Sequence, residues 1–215
     1  MNTIHLKRLL PSVFAQRTDV VSDLWLQENI CLERGKAYLI EANSGTGKSS
    51  LCSYIIGHRT DYEGNILFDE QDAQSLSARA WTRLRRRSLS LLWQDLRLFP
   101  ELTAWENVQV KNRLTHHCRQ QRVEGWFDRL GMAGKRTTRA GQLSYGQQQR
   151  VAFIRMLCQP TQFFLLDEPI SHLDDANAQL MADILAEEAS RQGAGIIVTS
   201  IGKQLPITYD QTLRL

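Results

Sequence analysis

"KAYLIEANSGTGKSS", residues 36–50, runs an apolar stretch straight into a turn that ends in Gly-Lys-Ser. The apolar part reads as a strand over 36–42, and the residues from Lys48 onward read as a helix over 48–57. A strand, a tight glycine turn and a helix N-terminus together make a nest of backbone N–H groups in which the helix dipole favours an anion. The spacing follows the phosphate-binding pattern G-x-x-x-x-G-K-[ST] with one departure, Ala42 in place of the first glycine. An alanine there costs little while φ stays negative. On this reading Asn43, Ser44, Gly45, Thr46, Gly47, Lys48, Ser49 and Ser50 wrap a phosphate chain. Lys48 reaches its β- and γ-phosphates, and the Ser49 hydroxyl ligates Mg²⁺. The competing reading is a Gly/Ser-rich turn with a solvated lysine.

The rest of the chain supplies the context. Further strands read at 65–69, 88–94, 163–168, 195–200 and 211–215, with helices at 76–87, 103–114, 119–131, 145–158 and 175–191. This alternation predicts an α/β fold with a mainly parallel sheet covered by helices. Some seventy residues separate the strands at 88–94 and 163–168, more than one crossover needs, so a helical subdomain is expected there. The 215 residues suit one domain. With 26 Lys plus Arg against 23 Asp plus Glu, no global basic field points to nucleic acid. No apolar run approaches the ~18 residues of a membrane span, and the N-terminus lacks a secretory signal, so a cytosolic chain is expected. Cys31, Cys52, Cys118 and Cys158 show no metal-type spacing and read as reduced thiols.

A second constellation is "FFLLDEP", residues 163–169. Four apolar residues deliver Asp167 and Glu168 to the carboxyl end of a buried strand, where open α/β sheets bind ligands. Asp167 is placed on Mg²⁺, and Glu168 orients or deprotonates an attacking water. The alternative is that both acids cap the loop before Pro169. A third stretch is "QLSYGQQQRVAFIRMLCQP", residues 142–160, in which Ser144 opens a helix as its N-cap.

Taken in order, these stretches resemble the nucleotide-binding subunit of an ATP-binding cassette (ABC) transporter. The resemblance covers nearly the whole chain: P-loop at 42–49, Q-loop glutamine at Gln94, signature at 143–147, Walker B at 163–168 and D-loop "SHLD" at 171–174. It implies a P-loop NTPase core, an N-terminal antiparallel β subdomain and a helical subdomain inserted at roughly 95–145, all within one cassette of residues 1–215. It implies ATP and Mg²⁺ as ligands, Glu168, Gln94 and Lys48 in catalysis, and Ser49, Gln94 and Asp167 around the metal. Ser144, Gly146 and Gln147 would close over the γ-phosphate bound by another subunit, a second copy or a second ATPase chain. The expected partner is an integral-membrane permease, with the chain peripheral on the cytoplasmic face. Residues 75–108, with "LFPELTAWENV" at 98–108, are similar to the lipoprotein-release, macrolide-export and cell-division branch. There Leu96, Leu98, Phe99 and Pro100 are candidate permease contacts, with packing inside the subdomain as the equal alternative.

Several residues depart from the family pattern. Tyr145 replaces a signature glycine and would need room at the dimer interface. Ser200 stands where the switch histidine is expected, and His172 replaces a small D-loop residue. Ser200 favours an ATP-switched clamp with weak hydrolysis; Glu168 and Gln94 favour an ATPase. A chromosome-organising or DNA-repair ATPase would carry coiled-coil or zinc insertions that this chain lacks. Phe14 is a candidate for stacking on adenine. Arg83, Arg85, Arg86 and Arg87 read as a solvated helix face or as a contact for anionic lipid. Trp81, Trp93, Trp105 and Trp126 read as packing residues.

Overall fold

The computed structural model describes residues 1–16, 21–43 and 45–215. Its centre is a parallel sheet in which β3 (Ala37–Glu41) lies between β8 (Gly195–Ser200) and β9 (Gln211–Arg214), while β7 (Phe163–Asp167) joins β8 to the edge strand β6 (Leu89–Leu92). All of β7 and β8 is buried, as expected for unbroken apolar strands covered on both faces. Side chains alternate between two separate cores. Leu39, Phe164, Leu166 and Val198 face the layer of α3 (Ala104–Thr115), α4 (Gln120–Arg129), α5 (Tyr145–Leu157) and α6 (Asp175–Gln192). Tyr38, Ile40, Phe163, Leu165 and Ile197 face α1 (Lys48–Ile55) and a second, antiparallel sheet.

That second sheet has the order β2 (Ile30–Glu33), β1 (Thr3–Pro11), β4 (Tyr62–Phe68), β5 (Gln71–Asp72). It corrects the residue-level reading twice. β1, β2 and β5 were not among the strands expected from the sequence, and the strand read at 65–69 belongs here rather than to the parallel sheet. In β1, Ile4 and Leu6 are buried while His5 and Lys7 point away, a period-two pattern that a bulge after Lys7, with Arg8 at φ 47°, breaks off early. The antiparallel subdomain implied by the family resemblance is thus present. The parallel strands and the long helices start and end within a few residues of their expected limits.

The stretch 98–108 has a local physical explanation. Thr103 and Glu106 form a reciprocal capping box that starts α3. The buried Asn107 amide grips both the N–H and the carbonyl of Phe99, at 2.8 and 3.0 Å. Leu96 is buried in the helical-side core and Leu98 packs against it, so packing rather than a free contact accounts for these two; Phe99 and Pro100 stay exposed. α2 (Ala78–Arg87), N-capped by Ser77, precedes β6 and buries no residue completely.

Candidate functional site

The turn between β3 and α1 owes its shape to Gly47, which caps α1 at φ 100°, a conformation that side-chain-bearing residues rarely adopt. A Cβ at Gly47 would come within 3.0 Å of the Trp25 ring and 3.3 Å of Phe14. Trp25 is buried and its indole donates to the Thr46 carbonyl at 3.0 Å, so the turn rests on an aromatic floor supplied by the N-terminal segment. Thr46 Oγ1 donates to the Asn43 carbonyl at 2.9 Å. Ala42 leaves the sheet with its N–H on the Ser200 carbonyl, so no glycine is needed where strand becomes loop. Ser44 lies outside the described residues.

Lys48 points back under its own loop. Its Nζ donates to the carbonyls of Ala42 and Asn43, at 3.3 and 2.9 Å, and lies 3.9 Å from Glu168 Oε1. Burial lowers its pKa, opposed by the nearby Glu168 and Asp167 carboxylates. Glu168 sits in the left-handed region at φ 50°, a strained conformation at a strand exit that turns its carboxylate toward Lys48. Asp167, one residue earlier, is buried and accepts from Thr199 Oγ1 on β8 at 2.6 Å, which fixes its carboxylate. Ser49 Oγ donates to Gln94 Oε1 at 3.4 Å. A cleft of about 420 Å³ is lined by Gly45, Gly47, Lys48, Ser49, Ser50, Gln94 and Glu168, with Val13, Phe14 and Ile201 as its apolar wall. Lys48, Ser49, Gln94 and Glu168, named from sequence, therefore meet at one place.

Ser144, Gly146 and Gln147 do not line this cleft. Ser144 caps α5 and forms a capping box with Gln147, at 3.0 and 3.4 Å. A Cβ on Gly146 would press on Leu173 and the His172 carbonyl, at 3.2 and 3.3 Å. Tyr145 folds back within its own chain: its hydroxyl donates to the Gln94 carbonyl at 2.8 Å and its ring lies 4.3 Å from that of His172. His172 Nδ1 in turn meets Ser171 Oγ at 2.9 Å. Ser200 is buried, commits its hydroxyl to the Lys203 carbonyl and is not among the residues lining the cleft. Lys203 ties the same loop to the Leu173 carbonyl and to Asp175.

Sequence reading missed Trp25, Thr199 and Arg155. From α5, Arg155 donates to the carbonyls of Arg97 and Leu96 at 2.6 and 2.5 Å, holding the turn just after Gln94. Thr199 sits beside Asp167 in register, but β8 is buried throughout and shows no alternation that singles it out. Nothing in local spacing pointed to Trp25 or Arg155.

The family model described as "ABC transporter" matches residues 27–171. The uncharacterised ABC transporter ATP-binding protein YclH of Bacillus subtilis is 30% identical over 191 residues, covering 87% of this chain and 83% of that protein. The lipoprotein-releasing system ATP-binding protein LolD of Pseudomonas syringae pv. tomato is 31% identical, covering 91% and 86%. An uncharacterised ABC transporter ATP-binding protein of Mycobacterium tuberculosis is 31% identical over 83% of this chain, which spans only 55% of that longer protein. In three dimensions, the dimeric ABC transporter cassette MJ0796 is similar at a TM-score of 0.78 and 24% identity, over 92% of this chain and 87% of that one. Among the described residues no helix is long and apolar enough to cross a membrane. With the ordered motifs, the cleft geometry and these similarities agreeing, the chain belongs to the ABC transporter family, among its ATP-binding proteins.

Proposed function

We propose that this chain binds MgATP in the cleft beneath Gly45–Ser50 and hydrolyses it as a head-to-tail dimer, powering a separate membrane-spanning permease from the cytoplasmic face. The second ATPase subunit is another copy or a related chain, and residues 1–215 act as one cassette with its helical part at roughly 95–145. The observation that carries the reading is Lys48 Nζ held between the loop carbonyls and Glu168, ready to exchange them for phosphate oxygens. Once Lys48 turns to the phosphates, Glu168 is released to accept the proton of a water attacking the γ-phosphorus, and ADP leaves with the broken bond's electron pair. Val13 and Ile201, 70% and 46% exposed, would give the adenine an apolar wall, with Phe14, the stacking candidate, lining the cleft beside Gly47.

Ser49, Gln94 and Asp167 supply only hard oxygen donors with a single carboxylate, which fits Mg²⁺ sharing its shell with phosphate and water. Mg²⁺ held there would neutralise charge on the transferring phosphoryl group. Ser144, Gly146 and Gln147 face the partner's nucleotide from the N-terminus of α5, where the helix dipole favours an anion. Ser200, in place of the switch histidine and with its hydroxyl committed to the Lys203 carbonyl, favours a second reading, an ATP-switched clamp that hydrolyses slowly and transmits force to its membrane partner.

Glu168→Gln tests the composite site. It keeps the side-chain shape and removes the base, so gel filtration with MgATP should show a stable dimer that is absent without nucleotide. A variant that stays monomeric at saturating MgATP overturns the head-to-tail arrangement.

A further inference from the structure

Charge in this chain is segregated. Arg79, Arg83, Arg85, Arg86 and Arg87 of α2, with Lys111 and Arg113 of α3, surround two adjoining hollows of about 540 Å³ each that share Thr82 and Arg86. No carboxylate lines either hollow, and none of the seven cations forms a salt bridge among the described residues. Setting these seven aside leaves 19 Lys and Arg against 23 Asp and Glu, so the rest of the molecule is net acidic. Two of the seven are held in place by backbone. Arg85 donates to the carbonyls of Ile56 and Gly57 and lies over the Trp81 ring, and Arg86 donates to the Leu114 carbonyl.

Lys111 is the informative member. Burial, with Arg155 nearby, lowers its pKa to about 8. A lysine kept in such a place with no anion costs stability, and an anion entering the hollow removes that cost. Beside it on α3, Leu114 and Val110 are 58% and 38% exposed, one turn apart. A dense cationic surface edged by exposed aliphatic side chains matches the phosphate-and-acyl boundary of a bilayer better than it matches a free small anion.

We propose that the α2–α3 face binds the anionic surface of a phospholipid bilayer, with lipid phosphates seated in the two hollows. It docks the chain on the membrane directly, in addition to any permease contact. This goes beyond the ATPase reading and does not depend on it, since vesicle binding is measured without nucleotide.

The test is co-sedimentation of the full chain with vesicles of phosphatidylglycerol and phosphatidylcholine against vesicles of phosphatidylcholine alone. Among the described residues the side chains of Arg79, Arg83 and Arg87 make no hydrogen bond, so Arg79→Gln/Arg83→Gln/Arg87→Gln leaves the backbone ties of Arg85 and Arg86 intact. Arg119→Gln/Lys135→Gln/Arg139→Gln is the control, because both triples bring the formal charge from +3 to zero. The parent should bind only the anionic vesicles, and less so as salt rises. The first triple should lose roughly 10²-fold in partitioning while the control loses a few-fold at most. Equal losses in the two triples would mean that net charge alone is responsible and would overturn the site. A parent that ignores anionic vesicles but is retained on immobilised polyglutamate would assign the face to an acidic protein segment and overturn the membrane reading.

Discussion

Replacing Arg155 by methionine asks what holds the turn behind Gln94. Leu96 and Arg97 are consecutive left-handed residues at φ 57° and 48°, a conformation that costs about 1–2 kcal/mol per residue and persists only if something pins it. Two charge-assisted hydrogen bonds from Arg155 to their carbonyls contribute roughly 1.5–3 kcal/mol each. Against this stands the burial that pushes Arg155 down to about 10, equivalent to about 3 kcal/mol that the uncharged methionine recovers. The difference leaves a loss of about 2 kcal/mol, or a fall in Tm of roughly 4–8 °C for a chain of this size. Tyr145→Phe removes one neutral hydrogen bond to an exposed carbonyl, about 0.5–1 kcal/mol, so Arg155 is the stronger clasp. Thermal unfolding of both variants measures the first expectation. Limited trypsin digestion measures the second, with cleavage after the exposed Arg97 accelerated roughly tenfold in Arg155→Met. An unchanged Tm in Arg155→Met, or a larger effect from Tyr145→Phe, would refute the assignment.

Lys48→Ala should abolish binding of a fluorescent ATP analogue; parent-like affinity would show that the loop is only a turn. Ser200→His should raise steady-state ATP hydrolysis by up to ~10², the usual worth of one positioned donor in a transition state. His172→Ala should stay within a few-fold of the parent, because His172 is committed to Tyr145 and Ser171, and a large loss would instead make it the substitute for the missing histidine. Lys111 is folded with its pKa at about 8 against 10.5 unfolded, so between these values the unfolded chain binds more protons and stability rises with pH. Lys111→Met should flatten that rise in urea titrations at pH 8 and 10, and should stabilise the chain at pH 7 by about 2–3 kcal/mol.

The parallel core was legible because its central strands β3, β7 and β8 are covered on both faces and read as apolar runs, with Lys48 and Asp167–Glu168 fastened at their carboxyl ends. The antiparallel sheet was less legible residue by residue. β1 shows the Ile4/Leu6 alternation for only a few positions before its bulge, and β2 and β5 are too short to show a period. Long-range ties left no local trace: Trp25 backs a turn some twenty residues away, and Arg155 reaches a turn nearly sixty residues back. Pattern reading finds residues whose neighbours in sequence share their environment. It does not find a side chain whose partner is a backbone carbonyl elsewhere, since a carbonyl carries no sequence identity.

Tyr145 shows how a substitution changes meaning once its partner is known. Against a glycine pattern it reads as bulk that a dimer interface must accommodate, yet the ring lies on His172 and the hydroxyl reaches the Gln94 carbonyl of the same chain. With Arg155 two to three turns further along, α5 holds the Q-loop segment at Gln94 and again at Leu96–Arg97. Any displacement of Gln94 away from Ser49 must therefore either break these ties or carry the N-terminus of α5 with it. The ties together contribute a few kcal/mol, similar to the 1–3 kcal/mol typical of coupling between sites. In the head-to-tail dimer proposed above, these ties would link Gln94 at one nucleotide cleft to the signature helix that faces the other.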